Sequence, residues 1–190
     1  YVPEVFINRN TASEEMCALS KEALKNKTRK DDHVGIGYFS GSLTHNDDFE
    51  LVLPALTKVM EKYPQVQLHV VGELDLPEAL QQYKARVVSH PFVDWKKLPS
   101  LIAEVDINLA PLEQSIFNEA KSENKWVEAA LVKVPTVASN VGAFQRMIVS
   151  GETGILCDTE DEWVEQLSRL VEDKKERERI AENAHRYCTK

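Results

Sequence analysis

FNEAKSENKWVEAALVKVPTVAS, residues 117–139, contains a complete helix-to-strand step. Trp126, Val127, Glu128, Ala129, Ala130 and Leu131 are rich in helix formers, and after Pro135 the β-branched run Thr136-Val137-Ala138 reads as a short strand. The start of the helix is unusual. Lys121, Ser122, Lys125 and Glu128 fall at i, i+1, i+4 and i+7, so one helical face is expected to carry two ammoniums, a hydroxyl and a carboxylate. Lysine in a first turn costs about 0.3–1 kcal/mol against the positive end of the helix dipole, and an anion bound there reverses the sign. Free N–H groups, a hydroxyl and cations together suit a diphosphate. One turn on, Glu128 has the acceptors to hold vicinal hydroxyls such as those of a ribose. The same spacing also fits an ordinary Lys125–Glu128 surface pair, worth about 0.2–0.5 kcal/mol, with Ser122 as a plain N-cap. The remainder of the chain has to separate the two readings.

Outward from this step, short strands alternate with helices. Strands are expected over residues 34–39, 67–71, 86–89, 106–110, 136–138 and 154–157, and helices over 49–63, 77–84, 95–103, 160–171 and 174–187. That alternation predicts an α/β fold, a Rossmann-like doubly wound parallel sheet of about six strands with helices on both faces. Ligands in such sheets bind beyond the carboxyl ends of the strands, where strand order reverses. The loops expected there cover residues 40–48, 73–75, 90–94, 111–120 and 139–143. Residues 1–33 read as a linker strand and a surface excursion, partly helical over 13–26, and residues 34–190 as the domain proper.

The 190-residue chain, 43% hydrophobic and 28% charged, has the composition of an ordinary globular domain. A net charge of −8 without a basic stripe excludes nucleic acid as a bulk partner. Cys17, Cys157 and Cys188 are odd in number and far apart, which predicts free thiols in a reducing compartment, the cytoplasm, and no metal-ligand spacing. No apolar run approaches the roughly 20 residues of a membrane span, and no signal-peptide pattern opens the chain. It begins at Tyr1-Val2-Pro3 without a methionine and reads as part of a longer protein.

Individual motifs sort as follows. Gly35-Ile36-Gly37 lies inside a strand, whereas the dinucleotide fingerprint places its glycines after one. Ser122-x-x-Lys125 matches a serine-hydrolase pattern whose companion elements S-D-N and K-T-G do not occur in the chain. Gly41 and Ser42 either offer backbone N–H groups to a phosphate or simply make the turn. His45 either points into the same cleft or is a solvated loop residue. Phe92 and Val93 either wall a base or anchor the core. Trp126, Phe144 and Trp163 read as core or domain-contact residues, and the charges over residues 174–179 as a solvated helix face.

Taken in order, these pieces resemble the C-terminal, donor-binding domain of GT-B glycosyltransferases of group 1, the family 4-like type, over residues 34–187. The resemblance rests on Gly41-Ser42, Leu68-His69-Val70-Val71-Gly72, Arg86-Val87-Val88 with Pro91-Phe92-Val93, and Asp106-Ile107-Asn108-Leu109-Ala110-Pro111. Lys121-Ser122-x-x-Lys125-x-x-Glu128-Ala129-Ala130, Pro135-Thr136-Val137-Ala138-Ser139-x-x-Gly142 and Gly151-x-x-Gly154 complete it. It implies a nucleotide-sugar site with Glu128 on the ribose, Gly41, Ser42 and the turn before the helix (Asn118, Ala120, Lys121, Ser122, Lys125) around the diphosphate, and Phe92-Val93 at the base; His45, placed after a strand's carboxyl end, is expected in the same cleft. It further implies retaining glycosyl transfer to an acceptor hydroxyl in polysaccharide biosynthesis, no cofactor, no obligatory metal, and an acceptor domain elsewhere in the same protein. Membrane association would run only through regions outside this chain. Two positions depart from the family pattern: the first of its paired glutamates is replaced by Ala120, with Glu119 one place away, and residues 40–48 contain neither arginine nor lysine. Lys121 and Lys125 are expected to supply the missing positive charge. A sugar-nucleotide epimerase on the same plan and a non-catalytic partner-binding module are the competing readings.

Overall fold

The computed structural model describes residues 10–28, 32–40, 46–72 and 74–190. Six strands form one sheet: β1 (Val34–Phe39), β2 (Val66–Val71), β3 (Val87–His90), β4 (Ile107–Ala110), β5 (Thr136–Ser139) and β6 (Ile155–Cys157). They lie in the order β3-β2-β1-β4-β5-β6, and every neighbouring pair is parallel. Strand order therefore reverses between β1 and β4, and a crevice opens at their carboxyl ends.

Each face of the sheet carries helices because each strand presents apolar side chains to both. Ile36 and Tyr38 of β1, Leu68 and Val70 of β2 and Leu109 of β4 meet Phe49, Val52, Leu56 and Met60 of α2 (Asn46–Lys62) and Trp163, Leu167 and Leu170 of α8 (Glu160–Glu172). On the other face Phe39 and Val71 meet Ala23 of α1 (Glu14–Asn26), Ile102 of α4 (Leu98–Ala103) and Ala129 of α6 (Asn124–Leu131). The polar stretch before the sheet thus supplies a packed helix: α1 is capped by Ser13, whose hydroxyl accepts from the Met16 N–H at 3.1 Å, and lies against α4 and α6. The chain ends in α9 (Lys174–Cys188), which packs on α6.

Several helical elements depart from expectation. The helix read over residues 77–84 is only α3 (Glu78–Gln81) followed by a 3₁₀ turn at Lys84–Arg86. Two short helices were not expected, α5 (Ile116–Glu119) within a stretch read as loop and α7 (Gly142–Met147) beginning in another. Finally, α6 starts at Asn124 rather than near Lys121. Because α5 ends at Glu119, Lys121 and Ser122 sit in the turn between two helices; Glu123 occupies the N-cap, and Ser122 is not a cap.

Gly72, directly after β2, has φ +111°, and a Cβ there would lie 2.3 Å from the Ser40 carbonyl oxygen. The approach of the two chain segments at the carboxyl ends of β1 and β2 therefore requires glycine.

Candidate functional site

Asp48, in the first turn of α2, is 3% exposed at the crevice between β1 and β4. Its Oδ1 accepts from the Glu113 N–H at 2.9 Å and from Asn118 Nδ2 at 3.4 Å, and its Oδ2 pairs with Lys121 Nζ at 3.3 Å. Asn118 Nδ2 also donates to the Glu113 carbonyl at 2.8 Å. One buried carboxylate thus fixes the loop after β4, α5 and the lysine after it. Nothing in the sequence marked Asp48 beyond an acidic residue in a helix's first turn, a common complement to the dipole.

Lys125 stands in the first turn of α6. Its backbone carbonyl accepts from Asn108 Nδ2 at 3.1 Å, and the same amide nitrogen reaches Thr136 Oγ1 at 3.0 Å, so β4 and β5 together fix the start of α6. The ammonium lies 4.7 Å from the Tyr38 ring centroid, a cation–π contact with β1. Burial pushes its pKa down to about 8, against the attraction of Asp48. Glu128, one turn on, is pushed up to about 7, again by burial, with Lys125 opposing. The two groups feel each other's charge, yet among the described residues neither forms an ion pair within 4 Å. The plain surface-pair reading is therefore corrected: both are partly buried, and both carry charge that the protein itself leaves incompletely compensated.

Two adjoining hollows flank α6. The larger, about 470 Å³, is lined by Pro111, Leu112, Ala120, Lys121, Ser122 and Lys125, with Phe144 at its back. The smaller, about 290 Å³, is lined by Glu128, Val127, Met16 and Trp95. Asn10 and Asn124 border both. The structure thus brings Ala120, Lys121, Ser122 and Lys125 to one wall, with Asn118 holding that wall through Asp48, and sets Glu128 around the helix from them. Glu119, next to Ala120, is engaged elsewhere: its carboxylate accepts from the Gly142 N–H at 3.3 Å and pairs with Arg146 at 3.2 Å.

Of the remaining expected residues, Gly41, Ser42 and His45 lie outside the described residues. Phe92 is 63% exposed. Val93 packs with the cluster of Phe39, Val71 and Ile102, so its core-anchor reading holds. The aromatic that shares a hollow with Glu128 is Trp95, in the 3₁₀ turn Trp95–Lys97, which sequence reasoning had counted only as the start of a helix. Trp126 and Trp163 are core residues, each 1% exposed.

The chain matches the model of the family "Glycosyl transferases group 1" over residues 35–173, and it belongs to that family. It is 23% identical over 167 residues to a D-inositol 3-phosphate glycosyltransferase of Corynebacterium urealyticum, covering 80% of this chain and 38% of that protein. The fold is similar to that of Anabaena HepE in complex with UDP-glucose, with a TM-score of 0.65 and 20% identity over 94% of this chain and 49% of that one. It is also similar to the C-terminal domain of LpcC, a group 1 glycosyl transferase family protein from Francisella tularensis, with a TM-score of 0.61, 21% identity and coverage of 94% and 93%. The chain therefore spans less than half the length of the first two and nearly all of an isolated C-terminal domain.

Proposed function

We propose that this chain is the donor-binding half of a GT-B glycosyltransferase and holds a nucleoside-diphosphate sugar at the crevice between β1 and β4. The observation that carries the reading is the pair Lys125 and Glu128, held partly buried on α6 with neither charge neutralised by an ion pair among the described residues. Lys125, Lys121 and the turn at Ser122 receive the diphosphate, Glu128 accepts hydrogen bonds from the ribose hydroxyls, and the nucleoside extends toward Trp95 and Phe92. UDP-glucose in HepE supports a nucleotide sugar as the ligand class.

In the transfer, an acceptor hydroxyl oxygen bonds to the anomeric carbon while the bond from that carbon to the β-phosphate oxygen breaks. The diphosphate leaves with the electron pair. The acceptor's proton passes to the departing phosphate oxygen, and the anomeric configuration is retained. Ammoniums beside that oxygen stabilise charge developing on it. Because Lys121 and Lys125 supply the countercharge, this reading requires no metal at the diphosphate. The acceptor site belongs to the part of the protein outside this chain. A cytoplasmic setting fits the three free cysteines; among the described residues no helix is long and apolar enough to cross a membrane.

A thermal-shift panel of UDP, GDP, ADP and dTDP and their sugars tests this reading. A nucleotide at 100 times its dissociation constant adds about 2.7 kcal/mol, a rise of roughly 5–11 °C for a domain of this size. Absence of a shift with every nucleotide would favour the partner-binding module.

The pKa shifts give the affinity a pH signature. Lys125 loses its charge as pH rises through about 8, so nucleotide-diphosphate affinity is expected to fall above that pH. Stability of the ligand-free chain moves the other way. Between about pH 8 and the ordinary lysine pKa of 10.5 the unfolded chain holds a proton that folded Lys125 has released, so this group's contribution rises with pH. For Glu128 the folded state holds the extra proton between 4.5 and about 7, so its contribution falls across that window. Titrations of affinity and of melting temperature with pH, compared with a Lys125→Met variant, check both signs; affinity flat from pH 7 to 10 contradicts the role of Lys125.

A further inference from the structure

We propose that the sheet carries a second binding site, separate from the donor crevice, for a divalent transition ion of the zinc type, with His69, His90 and Glu104 as its ligands. One ring nitrogen of each histidine and a carboxylate oxygen of Glu104 lie within 4.8 Å of one another. The sheet creates this group. His69 pairs with Val88, and Val71 with His90, so the two imidazoles lie diagonally on neighbouring parallel strands and project from the same face. Val71 on that face packs against Ile102 and Ala103 of α4, and Glu104 is the next residue in the chain.

His69 lies between Gln67 and Val71 on this face of β2, and the half-buried imidazole there lies above β1. A Cβ added at Gly35 would meet its Cδ2 at 3.6 Å. Among the described residues no side chain hydrogen-bonds to His69, His90 or the Glu104 carboxylate, so all three donor groups are available.

Two imidazoles and one carboxylate are ligands suited to zinc and its neighbours; magnesium and calcium favour all-oxygen sets. Donors around a tetrahedral zinc ion at 2.0–2.1 Å stand about 3.4 Å apart. Closing the group to that spacing needs side-chain rotation by Glu104, which is exposed, and by His90, on the edge strand. Two of the three ligands, His69 and Glu104, also line a hollow of about 340 Å³ together with His33 and Asp106. A bound ion would join β2, β3 and the end of α4 at the base of the loop that carries Phe92. Sequence reading missed the group because its members are far apart in the chain and meet only through strand pairing.

The test uses the tag-free chain stripped of metal with a chelator and titrated with Zn²⁺, Co²⁺ and Mg²⁺ by calorimetry, melting temperature and visible absorption. The expected result is one equivalent of Zn²⁺ bound at micromolar or tighter affinity with a raised melting temperature, no response to Mg²⁺, and a Co²⁺ spectrum without thiolate charge-transfer bands. His90→Gln, at the edge of the sheet, should retain the fold by circular dichroism and weaken Zn²⁺ by more than about tenfold. Failure to bind Zn²⁺ at micromolar concentration, undiminished binding in a folded His69→Gln/His90→Gln variant, or thiolate bands from the cysteines would each overturn the site.

Discussion

Replacing Lys125 with alanine is expected to weaken nucleoside-diphosphate binding by more than about 1.5 kcal/mol, a loss of more than tenfold, the scale of a charge-assisted hydrogen bond. The ligand-free fold should tolerate the change. Burial already disfavours the ammonium, and among the described residues its removal breaks no ion pair and forfeits only the contact with the Tyr38 ring, which offsets part of that gain. A binding defect in a variant that melts at or above the wild-type temperature separates this role from a folding one. Lys121 provides the contrast: its ammonium is already held by Asp48 at 3.3 Å, so Lys121→Ala disturbs the Asp48 network as well as the ligand. Calorimetry on the two variants distinguishes them, and unchanged affinity in Lys125→Ala would remove the phosphate assignment.

Truncating Trp126 to alanine is expected to cost about 3–5 kcal/mol of folding stability. The indole is 1% exposed, and its Nε1 donates to the Thr153 carbonyl at 2.7 Å, binding the buried side of α6 to the turn before β6. The ring also lies 5.7 Å from that of Tyr187 on α9. Deletion therefore leaves a large cavity and an unpaired carbonyl beneath the helix that presents Lys125 and Glu128. Urea denaturation measures the loss, and a cost below about 1 kcal/mol would contradict this anchoring.

The sheet was the most legible part of the sequence because apolar runs bounded by polar turns mark buried parallel strands well. All six strands stand within a residue or two of their expected places. The helical turns around the crevice were not legible. α5 and α7 are four and six residues long, too short to show a period, and without α5 the lysines read as a continuous helix from residue 121. That error changed the geometry at Lys121 and Ser122, which approach the crevice from a turn, but not at Lys125 and Glu128, which remain one turn apart on α6.

Asp48 and Trp95 escaped notice for a different reason. Their positions follow from strand order and from a 3₁₀ turn, neither of which has a local sequence marker. The absent glutamate at Ala120 was visible from the sequence. The structure adds that the neighbouring Glu119 carboxylate faces the Gly142 N–H and Arg146.

The most direct test of the donor-site assignment is amide chemical-shift mapping of the chain during titration with the nucleoside diphosphate that most raises its melting temperature. The account predicts saturable shifts centred on Lys121, Ser122, Lys125 and Glu128, with a fainter group near Trp95. Shifts confined to the opposite end of the sheet, around His69 and Glu104, or saturation that leaves the start of α6 unmoved, would contradict it.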